Sequence, residues 1–160
     1  MQIRILLIPL LILLYSVSLS AEDKTQGKEY YPVKRVVDGD TFWIDDGSAK
    51  GVKVRLIGVD APESRNSGNK EITYFGKEAS DYLTKLIGGK KVRLEYDAGH
   101  FDKYGRTLAY VYLQDGTFIN AKLVKDGYAN VMTIPPNVKY ADTFLKLERK
   151  ARNQKRGMWK

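Results

Sequence analysis

Asp40, Arg55, Asp60, Glu63 and Arg106 are of the residue types that metal-assisted cleavage of a phosphodiester would require. Asp40 lies in V-D-G-D-T at 37–41, Asp60 and Glu63 in V-D-A-P-E at 59–63, Arg55 between these motifs, and Arg106 at the end of D-K-Y-G-R at 102–106. Carboxylate oxygens hold hard cations, and a planar guanidinium can grip two phosphate oxygens at once. A phosphodiester repels a nucleophile, so its charge must be neutralised and a water deprotonated in place. Glu63, ionised near neutral pH, can accept that proton. Taken singly, each residue has a plainer reading: the aspartates as strand-end caps, Glu63 opening a helical turn after Pro62, the arginines as surface ion pairs. The combination is what points to chemistry. An EF-hand is excluded, because counting from Asp38 the fifth position is Phe42 and the sixth is Trp43 rather than glycine. His100 is the one histidine, so a histidine-based mechanism has little to stand on. Asp38 and Gly39 read as turn formers, and Asp102 as a residue that shapes its loop.

The elements that must position these residues are short. Val33–Val37 and Thr41–Ile44 read as strands joined by a turn at Asp38-Gly39, and Val52, Val54 and Leu56 alternate with Lys53 and Arg55, placing Arg55 on the face opposite the core. Residues 64–70, SRNSGNK, read as an exposed loop. Phe75, Ala79, Tyr82, Leu83 and Leu86 share one face of a helix that Gly88-Gly89 stops. Strands follow around Val92–Leu94 and over Thr107–Leu113, and Asp115-Gly116 turns the chain. Asn120 is placed to cap a short helix ending at Gly127, and a last helix runs from about Tyr140 to Gln154 with Tyr140, Phe144, Leu147 and Ala151 buried. Its outer face carries Lys146, Arg149, Lys150 and Arg152, and Trp159 is expected to fold back on the body. Five strands, with a helix between the third and fourth, give an α+β class: a five-stranded OB-fold barrel with three helices.

Composition bounds the rest. Residues 1–20 combine Arg4, an apolar run over Ile5–Tyr15 and small residues at Ser18 and Ser20, the pattern of a signal peptide cut near Ser20 or Ala21. Residues 21–29 read as a flexible leader and 30–160 as a single domain, long enough to bury a core without staples. The chain has no cysteine, which excludes thiol chemistry and disulfides. Its net charge is +8, or +7 without Arg4, and a basic balance of this size favours a polyanionic partner.

Five motifs in order resemble the staphylococcal nuclease, or thermonuclease, family: V-D-G-D-T, R-L-I-G-V-D-A-P-E, Y-F-G-K-E-A at 74–79, D-K-Y-G-R-T-L-A-Y and L-V-K-D-G-Y-A. The resemblance covers Tyr31 to Trp159 and implies a secreted, Ca²⁺-dependent nuclease acting on DNA and RNA, single strands preferred, with 3′-phosphate products. By resemblance, Asp40, Asp60 and the backbone carbonyl of Ala61 bind Ca²⁺, Glu63 is the general base, and Arg55 and Arg106 hold the phosphate and stabilise its transition state. Lys103 and Tyr104 contact a neighbouring phosphate. Where the family has two tyrosines flanking the bound nucleotide, this chain has Thr133 and Pro135, with Tyr128 and Tyr140 as candidates to replace them. The apolar leader points to export by a bacterium to the medium, periplasm or envelope, with the membrane touched only if the leader stays uncut, and no feature demands an oligomer, so a monomer is expected. Two other classes compete: a non-catalytic OB-type module binding single strands, and a surface protein attached to anionic envelope polymers by its basic last helix. The first would have lost its acids, and the second leaves the motifs unused.

Overall fold

Alternating apolar residues in short runs, separated by Gly- and Asp-rich turns, fold here into a closed barrel flanked by helices. The computed structural model describes residues 29–63 and 74–160. The expected signal peptide, nearly all of the leader, and the loop at 64–70 lie outside the described residues. Among the described residues no helix is long and apolar enough to cross a membrane.

In chain order the elements are β1 (Tyr31–Asp38), β2 (Thr41–Ile44), β3 (Val52–Leu56), β4 (Gly58–Asp60), α1 (Tyr74–Ile87), β5 (Lys91–Glu95), β6 (Thr107–Leu113), α2 (Ile119–Lys125), β7 (Asn130–Met132) and α3 (Ala141–Asn153). Five strands close the barrel in the order β1-β2-β3-β6-β5, with β1 returning to β5. Every pair is antiparallel except β3 and β6, which run parallel and set Arg55 beside Leu108. Phe42, Ile44, Val54, Leu56, Val92 and Val111 point inward and are buried, as period-two alternation requires. Ala79, Leu83 and Ile87 are the buried stripe of α1, which packs on β1, and Phe144 and Ala151 anchor α3 against α2 and β7. Trp159 folds back, with the Arg152 guanidinium 3.8 Å from its ring centroid.

Two features differ from the sequence expectation. A separate antiparallel ribbon joins β4 to β7, pairing Asp60 with Asn130, outside the five barrel strands. Gly58 lets β4 split from β3: its φ is +78°, and a Cβ there would lie 2.6 Å from the Phe144 ring. Asn120 is not a cap. Phe118 precedes α2 with no side-chain cap bond, and Asn120 sits inside the helix, fully buried. Its Oδ1 accepts from the Val111 N–H at 2.9 Å while its Nδ2 donates to the Ile57 carbonyl at 2.9 Å. A buried amide must satisfy its polar atoms, and this one does so by tying α2 to β6 and to the segment between β3 and β4.

Candidate active site

The turn between β1 and β2 carries Asp40 to the end of the barrel where β3 ends and β4 begins. Gly39 makes this possible through space rather than dihedral freedom: a Cβ there would meet the Cβ of Ala61 at 2.6 Å and that of Ala79 at 2.9 Å. The Asp40 carboxylate is buried, and both of its oxygens have partners. Its Oδ1 accepts from the Thr41 hydroxyl at 2.9 Å, and its Oδ2 accepts from the Ala61 N–H at 2.8 Å and faces Arg55 Nη1 at 2.8 Å. Burial pushes the Asp40 carboxyl above the usual range, opposed by the Arg55 charge, the Ala61 N–H and the Thr41 hydroxyl.

Arg55 is buried, at 7% exposure, because the face opposite the core is roofed by the start of β4 rather than by water. Its Nη1 donates to the Val59 carbonyl at 2.9 Å and its Nη2 to Asp60 Oδ1 at 2.9 Å. One guanidinium therefore bridges both aspartates and the backbone of β4. Asp60 keeps more than a third of its side chain exposed. Ala61 is buried in contact with Asp40, and Glu63 follows, half-buried, on the segment leaving β4.

Arg106 arrives from the other side, at the foot of β6. Asp102 holds it: Oδ1 accepts from the N–H groups of Tyr104 at 2.9 Å and Arg106 at 3.0 Å, and Oδ2 from Arg106 Nε at 2.6 Å. Burial acts to raise the Asp102 carboxyl, but these bonds and the Arg106 charge outweigh it and hold it below the usual range. Arg55 and Arg106 line the same cleft of about 380 Å³, together with Lys103 and Tyr104. The parallel pairing of β3 with β6 is what brings residues fifty positions apart to one opening.

Phe101, Ile134 and Pro136 were not expected in that cleft. With Tyr104 and Pro135 they form an apolar rim beside Arg55, Lys103 and Arg106, and Phe101, Tyr104 and Ile134 are 68%, 71% and 60% exposed. Lys103 Nζ lies 5.0 Å and Arg106 Cζ 5.4 Å from the Tyr104 ring centroid. Tyr128 and Tyr140 do not replace the missing tyrosines. Tyr128 is stacked at 3.9 Å on Tyr82, while the Tyr140 hydroxyl donates to Glu95 at 2.8 Å within an aromatic cluster around Tyr110 and Phe118. An exposed Phe beside a Gly- and Asp-rich loop was the signal for Phe101.

Asp40 and Asp60 offer oxygen donors alone, suited to a hard cation. Among the described residues no three His, Cys, Asp or Glu side chains gather into a group able to hold a metal ion. An ion here would take further oxygens from backbone, water and substrate.

Residues 53–160 match the family described as staphylococcal nuclease homologue. The chain is 46% identical over 132 residues to the thermonuclease of Staphylococcus intermedius, covering 82% of this chain and 76% of that one. It is 42% identical over 141 residues to the thermonuclease of Staphylococcus hyicus, covering 88% and 81%. Endonuclease YncB of Bacillus subtilis (strain 168) is 39% identical over 127 residues, covering 78% of this chain and 59% of that one.

Proposed function

From the premise that the chain belongs to the staphylococcal nuclease family, we propose that it hydrolyses phosphodiester bonds of DNA and RNA with little sequence preference, using Ca²⁺, after export from a bacterial cell. The observation that carries this reading is the convergence of two arginines on one cleft, one of them bonded to both candidate metal-binding aspartates.

Each guanidinium has a part to play. Arg55 lies between the acids and the cleft, so it can hold a phosphate oxygen while remaining oriented by Asp40, Asp60 and the Val59 carbonyl. Arg106 is gripped through Nε, which leaves its terminal amino groups to meet the phosphate as negative charge grows on it. Glu63 takes the proton of the attacking water, whose oxygen bonds to phosphorus as the P–O5′ bond breaks; the 5′ oxygen leaves as a hydroxyl with a proton from solvent, and the phosphate stays on the 3′ side. Lys103 and Tyr104, on the cleft rim, receive the next phosphate along the strand. Asp40, Asp60 and the Ala61 carbonyl are the groups that would hold Ca²⁺. When bound, the ion neutralises and polarises the phosphate. With few protein ligands, such a site fits affinities of about 10⁻⁴ to 10⁻³ M, the range of extracellular modules.

The test is direct. Purified protein should shorten heat-denatured DNA with calcium present and stop when the metal is chelated, and DNA binding should weaken steeply with salt. Glu63→Gln should bind DNA and cut it at a small fraction of the parent rate. Retained cutting would remove Glu63 from its role, and binding without cutting by the parent under any divalent metal would leave only a binding module.

A further inference from the structure

We propose that the outer face of β1, β2 and β3 is a second binding surface, centred on Trp43, that holds the single strand of nucleic acid where it leaves the cleavage site. The proposal rests on the nuclease reading above.

The ladder places it. Phe42, Ile44 and Val54 point into the barrel, so Trp43 and its cross-strand neighbours Arg35 and Lys53 belong to the outer face. On that same face the Trp43–Lys53 pair is followed by the Thr41–Arg55 pair, and Arg55 lines the catalytic cleft. Along the ladder the backbones of these two pairs are about 7 Å apart, and the Arg55 guanidinium reaches toward Val59 and Asp60 in β4.

Its chemistry matches a strand of nucleic acid. Trp43 is half-buried, which holds the indole in place while leaving part of it open. The Arg35 guanidinium and the Lys50 ammonium lie over its ring, 5.4 Å and 5.8 Å from the centroid, so a base that stacks on the indole displaces a cation, which is then placed to meet the adjoining phosphate. The two carboxylates of the adjoining turn are engaged elsewhere: Asp45 faces Lys34 at 3.6 Å, and Asp46 accepts from the N–H and hydroxyl of Ser48. An aromatic plate accompanied by cations binds single strands without sequence preference, because every base has a stacking face and every link a phosphate. Arg35, Trp43, Lys50 and Lys53 thus extend the positive path beyond the cleft, and longer substrates gain from it while short ones do not reach it.

The two tryptophans, Trp43 and Trp159, allow a clean readout. In Trp159→Phe the fluorescence comes from Trp43 alone. Titration with an oligothymidylate of about twenty nucleotides, long enough to span a site of this kind, should quench it saturably in the presence of chelator. Inorganic polyphosphate should not. In the calcium-loaded protein, Trp43→Ala and Lys53→Ala should raise KM for long denatured DNA by about fivefold or more, the lower end of one lost stacking contact, with kcat unchanged. Trp43→Phe should recover much of the loss, and kinetics on a dinucleotide substrate should stay the same in all three. Absent quenching, equal quenching by polyphosphate, or an unchanged KM on long DNA overturns the proposal while leaving the nuclease reading intact. A protein that cuts neither substrate sinks the nuclease reading instead, and the titration still decides the Trp43 surface.

Discussion

Arg55 and Arg106 face one cleft but are held by opposite means. Arg55 is buried among barrel strands and bridges Asp40, Asp60 and the β4 backbone. Arg106 hangs from a loop, held by Asp102, with a quarter of its side chain exposed. The carboxylates differ in the same sense: burial dominates at Asp40 and raises it, whereas hydrogen bonds dominate at Asp102 and lower it. On the proposed reading the buried arginine is scaffold and site together, while the loop arginine serves the site alone. The first arrangement keeps the guanidinium in place before substrate arrives, and the second lets one adjust to it.

Replacing each arginine by alanine separates the two. Both variants should lose at least about 10² in turnover if both groups stabilise the developing charge. Only Arg55→Ala should also lose about 3–5 kcal/mol of stability, because it strands Asp40 in the interior without its countercharge. Arg106→Ala should move stability by less than about 1 kcal/mol. Thermal unfolding beside single-turnover rates decides this, and equal melting temperatures would show that the buried pair is not structural. Gly39→Ala comes next. Its methyl group would press on Ala61 and Ala79, so a loss of about 1–3 kcal/mol is expected, together with weaker calcium activation as the Asp40–Ala61 contact opens.

The parts of this arrangement that were legible in the sequence are those written in local pattern. Strand Thr107–Leu113, the turn at Asp115-Gly116 and the stripe of α3 follow from period and turn chemistry, and the structure has them. The β4–β7 ribbon was not legible, since three residues make no period and the partner lies seventy positions away. Arg55 was placed on the non-core face correctly, but alternation cannot say that β4 roofs that face. Asn120 misled because an asparagine before a short apolar run has the form of a cap. Only the fold shows β6 and the segment between β3 and β4 within reach of its amide. The cleft rim was obscured for a related reason: Tyr128 and Tyr140 looked available, yet stacking and hydrogen bonds elsewhere occupy both.

Acid sharpens the contrast in another way. Glu95, Asp97, Asp102 and Asp126 all sit below their ordinary range, because hydrogen bonds from Lys139, Tyr140, Tyr110, Arg106, Lys122 and Tyr82 outweigh the burial that would raise them. A carboxyl lowered by folding stabilises the protein above its unfolded value and loses that contribution as pH falls through the folded one. The melting temperature of the metal-free protein should therefore hold from neutral pH to about 5 and drop below about 4, where unfolded Asp and Glu take up protons. In Asp126→Asn the drop should be shallower, since one linked group is gone. An identical acid slope would mean that Asp126 gains nothing from Lys122 and Tyr82 on folding.

The smallest effect belongs to Asp102→Asn, and it tests how far a loop arginine depends on its partner. Asparagine can still accept the N–H groups of Tyr104 and Arg106 through its oxygen, so the turn should survive. What it loses is the charged bond to Nε, worth about 1 kcal/mol, a factor of about five in rate if the guanidinium must be held for the transition state. The loss in kcat should come with a stability loss of no more than about 1 kcal/mol, the scale of a part-exposed ion pair, and Asp102→Ala, which abolishes the turn as well, should cost more. If Asp102→Asn instead raises kcat, the carboxylate competes with phosphate for Arg106, and the loop holds its arginine back until substrate displaces the acid.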